Sequence, residues 1–102
     1  MAEFTKVAAV SEIPVGTMKG LDVNGIKILI ANIDGQFHAI GAICTHRGGM
    51  LGEGEFSGTT VTCPLHDAKF DVTTGDVLTP PARAPVPKYP LKVEGENIFI
   101  KL

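Results

Sequence analysis

Tryptophan is absent, tyrosine occurs once, and only two cysteines stand among the 102 residues. So few cysteines exclude a small fold stapled by several disulfides. Charge of one sign is also missing: nine basic against eleven acidic side chains leave a formal net charge of -2, with no basic block to follow a phosphate backbone. Nucleic-acid binding has no support. Nowhere do about 18 apolar residues run consecutively, and the opening MAEFTKVAAVSEIP lacks a basic stretch followed by a long apolar one. The expectation is a soluble, cytoplasmic protein, in a compartment where thiols stay reduced.

What the chain does have is punctuation. Twelve glycines and seven prolines separate short runs of Val, Ile, Thr and Phe, a pattern of many brief strands rather than long helices. The length suits one domain, 1–102, and the fold expected is all-β. Asn24-Gly25 divides Leu21 to Ile33 as a hairpin turn would, and Asp34-Gly35 begins the turn into a strand from Gln36 to Ile40. Further strands are expected at Phe4 to Val10, Thr59 to Cys63, Lys69 to Val72, Asp76 to Leu78, Leu91 to Glu94 and Ile98 to Leu102. Gly95-Glu96-Asn97 would turn the last pair. Such hairpins close into a sandwich or barrel that limits exposed edges.

Two segments break the rhythm. Cys44 to Gly58 contains five glycines, and Thr79 to Pro90 contains five prolines, which cannot donate to a strand ladder. Both are expected as loops.

The residues that carry chemistry are Cys44-Thr45-His46 and, after sixteen intervening residues, Cys63-Pro64-Leu65-His66. Each segment supplies one soft thiolate and one imidazole. A single zinc ion could take four such ligands, but structural zinc sites usually space their pairs more widely. A binuclear iron-sulfur cluster accommodates the spacing better, because neighbouring ligands can reach different irons. His38 lies outside both segments and is read as an ordinary strand residue.

The arrangement C-x-H then C-P-x-H, within CTHRGG and CPLHDAKFD, resembles the two cluster-binding loops of the Rieske family, over Cys44 to Asp71. The resemblance implies a single Rieske [2Fe-2S] domain, an antiparallel β-sandwich with a small cluster-binding subdomain at about 42–72. It implies that Cys44 and Cys63 bind one iron of a [2Fe-2S] cluster and that His46 and His66 bind the other. The segment Thr79 to Pro90 is similar to the proline loop that covers the cluster in this family. High-potential members carry an extra cysteine in each loop, with a Ser and a Tyr that donate hydrogen bonds to the cluster sulfurs. The matching positions here are Gly49, Leu65, Ala68 and Phe70, none of which can do either job. A potential toward the lower end of the family range, roughly -150 to +300 mV, is therefore expected. Asp67 departs from the usual Gly, although Asp tolerates left-handed backbone geometry better than most residues.

Met50, Leu51, Leu65, Pro80 and Pro81 are expected to form an apolar collar that shields the cluster from water, or, rimmed by charges such as Arg47 and Lys69, a docking patch for redox partners. No nucleophile with an oriented base is visible, so the expectation is an electron carrier, not an enzyme. By the resemblance its partners are a flavin-dependent reductase and a terminal oxygenase, and the isolated protein is expected to be a monomer. Two alternatives stay open: a small Rieske subunit of a larger reductase of the nitrite-reductase type, and a non-redox zinc-binding interaction module.

Overall fold

The segment Ile28-Leu29-Ile30-Ala31 shows no alternation of apolar and polar residues, which is the signature of a strand covered on both faces. The computed structural model, which describes residues 4–23, 25–43, 51–64, 68–79 and 85–101, bears this out. Ile28 and Ile30 point into one core with Ala8, Ile13, Ala39, Ile98 and Ile100. Leu29 and Ala31 point into another, with Ile40, Ala42, Leu51, Val61, Cys63, Ala68, Phe70, Val72 and Val86. One strand therefore serves two cores.

Eleven strands occur among the described residues: β1 (Phe4–Ala9), β2 (Met18–Val23), β3 (Ile26–Ile33), β4 (Gln36–Gly41), β5 (Glu55–Ser57), β6 (Thr60–Thr62), β7 (Lys69–Asp71), β8 (Val77–Thr79), β9 (Lys88–Tyr89), β10 (Leu91–Glu94) and β11 (Asn97–Lys101). They form three antiparallel sheets, ordered β1-β11-β10, β2-β3-β4-β9 and β5-β6-β7-β8. The sheet containing β3 and β4 contributes side chains to both cores, while the β5–β8 sheet contributes only to the one that holds Cys63. Helical structure among the described residues is limited to two 3-10 turns, Val10–Glu12 and Leu51–Glu53. No helix among them is long and apolar enough to cross a membrane.

The turns follow their residues. Val23 pairs with Ile26 across the first expected hairpin, with Gly25 at φ 86° and its N–H donating to the Asp22 carboxylate at 2.9 Å. Asn24 lies outside the described residues. Asp34 and Gly35 both take positive φ, 53° and 90°, as a tight two-residue turn between Ile33 and Gln36 demands. At the last hairpin Glu94 pairs with Asn97, so Asn97 belongs to the strand and not to the turn. Three differences from the sequence expectation concern short elements. β2 starts at Met18 rather than Leu21, β5 lies inside the glycine-rich segment, and β9 lies inside the proline-rich one.

Asn32 interrupts the apolar run and is only 4% exposed. Its amide donates to the Ile13 carbonyl at 2.8 Å and its side-chain oxygen accepts from the Gly35 N–H at 2.9 Å, which ties the Asp34-Gly35 turn to the chain before β2. Replacing Asn32 with Ala leaves the carbonyl of the fully buried Ile13 without this partner, while the N–H of the exposed Gly35 turns to water, and the expected cost is about 2 kcal/mol. Urea unfolding should show this as a lower midpoint with an unchanged slope.

Candidate metal centre

Chemistry-bearing residues are placed by strand ends. β4 runs through Gly41 into Ala42 and Ile43, and the Ala42 carbonyl accepts from the Leu51 N–H at 2.8 Å. The described chain on either side of 44–50 is thereby brought together at one hydrogen bond. β6 and β7 make a hairpin whose last ladder pair is Thr62 with Lys69. One step further the Cys63 N–H donates to the Ala68 carbonyl at 2.7 Å, closing the excursion over 64–67. The proline-rich segment is tied on its downstream side, where the Val86 N–H donates to the Gly75 carbonyl at 2.9 Å and the Gly41 N–H to the Pro87 carbonyl at 2.8 Å.

These anchoring points share one apolar floor. Ala42, Leu51, Cys63, Ala68, Phe70 and Val86 belong to the same buried cluster. Of the four expected ligands, Cys63 is placed by the structure: it is 1% exposed, at the mouth of the β6–β7 hairpin. Cys44, His46 and His66 lie outside the described residues, as do Arg47, Gly48, Gly49, Met50, Leu65, Asp67, Pro80 and Pro81. Ile43, next to Cys44, is 39% exposed, and Pro64 and Ala68 flank the segment containing His66.

Leu51 departs from expectation. It is fully buried in the floor and does not belong to a surface collar, with its N–H bonded to the Ala42 carbonyl beside β4. Ala68 and Phe70, the positions without hydrogen-bonding side chains, are likewise fully buried. Lys69 is half-buried on β7.

The donor set suits the group that the motif implies. A buried cysteine at the hairpin mouth, with one more thiol and two imidazoles in the sequence of the two short segments, is a mixed sulfur and nitrogen set of the kind that holds a [2Fe-2S] cluster with two His ligands on one iron.

His38 stands on β4 with its ring half-buried. Burial pushes its imidazole below the ordinary histidine range, the Lys88 ammonium adds in the same direction, and the Asp71 carboxylate opposes both. A depressed folded value means that the unfolded chain binds the proton more readily. The stabilisation is therefore present above the ordinary histidine pKa, about 6.5, and is lost as pH falls through the folded value. Melting temperatures recorded from about pH 7.5 to 5 should decline on the acid side, and less steeply in His38→Gln than in wild type.

Comparison with known proteins agrees with this geometry. A family model described as Rieske [2Fe-2S] domain matches residues 3–90. The ferredoxin component of the naphthalene 1,2-dioxygenase system of Pseudomonas aeruginosa is 35% identical over 100 residues, covering 98% of this chain and 96% of that protein. Among solved structures, the ferredoxin of carbazole 1,9a-dioxygenase from Nocardioides aromaticivorans IC177 has 29% identity and a TM-score of 0.90, with 95% of each chain covered. A complex of reduced oxygenase and oxidized ferredoxin in carbazole 1,9a-dioxygenase contains a chain with 28% identity and a TM-score of 0.90, covering 95% of this chain and 91% of that one.

Proposed function

This chain belongs to the Rieske [2Fe-2S] domain family, and from that premise we propose that it is the ferredoxin of a multicomponent oxygenase system, with Cys44, His46, Cys63 and His66 as the cluster ligands. The observation that carries this reading is the buried Cys63 at the closed mouth of the β6–β7 hairpin, on a floor shared with the start and end of the first loop. Residues 1–102 form a single domain, monomeric when isolated and cytoplasmic. Relatives named as ferredoxin components of dioxygenase systems, and a relative solved with its oxygenase, support the choice of partners. A flavin-dependent reductase is the donor and a terminal oxygenase the acceptor.

The bound cluster supplies one-electron reduction and oxidation at a potential raised by its two neutral imidazole ligands. Everything else is done by the chain. Cys44 and Cys63 would hold one iron, His46 and His66 the other. The apolar floor of Leu51, Phe70 and Val86 keeps water from the buried side. With apolar Ala68 and Phe70 in place of hydrogen-bond donors, the electron density of the reduced state is less stabilised, which favours a low midpoint.

The test is electron paramagnetic resonance of the anaerobically purified, dithionite-reduced protein, with iron and zinc analysis and a redox titration. A spin-half signal of low average g-value and a midpoint below roughly +150 mV are expected. A colourless protein holding one zinc would make this a structural metal module. Co-purification in a permanent complex would instead favour a subunit of a larger reductase.

A further inference from the structure

Glycine at position 54 is demanded by space and not by backbone conformation. It follows the 3-10 turn Leu51–Glu53, with its N–H donating to the Leu51 carbonyl at 3.0 Å, and so belongs to the exit of the first ligand-bearing loop. A β-carbon built there would stand 1.8 Å from the Thr62 carbonyl oxygen, 3.0 Å from the Thr62 carbonyl carbon and 3.2 Å from Cδ of Pro64. Those atoms flank Cys63. The exit of one loop therefore rests directly on the backbone that launches the other, with no side chain between them. Gly58 offers the opposite case: its φ is +62°, yet nothing lies within 4 Å of the position a β-carbon would take.

We propose that Gly54 is a positioning residue for the cluster: its bare α-carbon sets the separation of the two ligand-bearing segments by letting the first lie against the Thr62–Pro64 backbone. The proposal rests on the assignment of Cys44, His46, Cys63 and His66 as ligands. A methyl group at Gly54 drives the Thr62 carbonyl away, because the obstacle is main chain within a sheet and cannot rotate aside. Cys63 is the next residue, so the displacement is delivered to a ligand. Glycine's usual role in a loop, freedom to take positive φ, does not operate here, since no positive φ occurs at Gly54.

The experiment compares wild type, Gly54→Ala and Gly58→Ala as holoproteins. Three quantities are read: g-values of the reduced state, midpoint potential, and iron retention against a competing chelator. Gly54→Ala is expected to alter the g-values and the midpoint, and to weaken iron retention by roughly 10- to 100-fold, the range for lost support around a metal site. Gly58→Ala is expected to lose thermal stability through backbone strain while keeping the wild-type signal and retention. A folded Gly54→Ala protein matching wild type in all three readouts overturns the proposal.

If Gly54→Ala does not accumulate folded, Pro64→Ala decides, since it removes the ring atom that borders the space a β-carbon at 54 would take, without adding bulk. Altered g-values with weaker iron retention support the contact as the positioning device, and wild-type values overturn it. Failure of the ligand assignment looks different, because wild type itself would then give no cluster signal.

Discussion

Cys63→Ala is expected to purify without iron and without the visible colour of an iron-sulfur protein, while its far-UV circular dichroism still reports antiparallel sheet. The two halves of this expectation have separate causes. Alanine deletes a proposed ligand, and a [2Fe-2S] cluster left with three protein ligands has one iron open to water, which favours loss of the whole group. The sheets survive because alanine is apolar and nearly fits the space: the floor keeps Leu51, Ala68, Phe70 and Val86, and the lost sulfur costs about 1 kcal/mol of apolar burial. The Cys63 N–H bond to the Ala68 carbonyl is main-chain and is retained. Iron analysis and a visible spectrum on protein purified in parallel with wild type are sufficient. Stoichiometric iron in Cys63→Ala would remove this residue from the ligand set.

How much of this was legible beforehand depends on whether the signal was local. The pattern behind the proposed ligands was local, because both its pairs fall within a few residues and their types are chemically restrictive. Asp34-Gly35 was too, since a tight turn needs positive φ at adjacent positions and few residue pairs accept it. β5 escaped because GEGEFSG carries a glycine on either side of a three-residue strand and has one apolar side chain to bury. β9 escaped because Lys88–Tyr89 is two residues long between Pro87 and Pro90, and its pairing with Ala39 and Ile40 comes from distant sequence. Nothing local reveals that β1 pairs with β11, joining the two ends of the described chain.

The floor beneath the site was hidden for the same reason. Ala42, Leu51, Phe70 and Val86 are unremarkable residues in four different segments, and they acquire a function only by converging. Leu51 shows the cost of reading a loop by composition: in sequence it follows Met50 and looks like surface apolar material, whereas its backbone bond to Ala42 draws it fully inside. Gly54 is a parallel case. Nothing in its neighbours along the chain reveals its role, and only the 1.8 Å between the Thr62 carbonyl oxygen and the place a β-carbon would take shows that the residue answers to a steric limit.

Phe70→Ala is expected to have the largest effect on stability of any single truncation beneath the site. Phe70 is fully buried, pairs with Val61 on β6 and Val77 on β8, and is the bulkiest fully buried side chain described. Truncation removes its transfer free energy and leaves a cavity that short strands on either side can only partly close, for an expected loss of about 4 kcal/mol. Since domains of this size have only roughly 5–15 kcal/mol in hand, the melting temperature should fall by roughly 15–30 °C. The consequence extends to function because Val61 lies on β6, whose last residue, Thr62, immediately precedes Cys63, so a cavity under β6 loosens a proposed ligand as well as the core. Phe70→Leu, which keeps most of the volume, should lose much less and retain its iron. Calorimetry and chelator competition on the three proteins separate the alternatives: if Phe70→Ala melts early yet holds iron as firmly as wild type, the floor stabilises the sheet without supporting the centre above it.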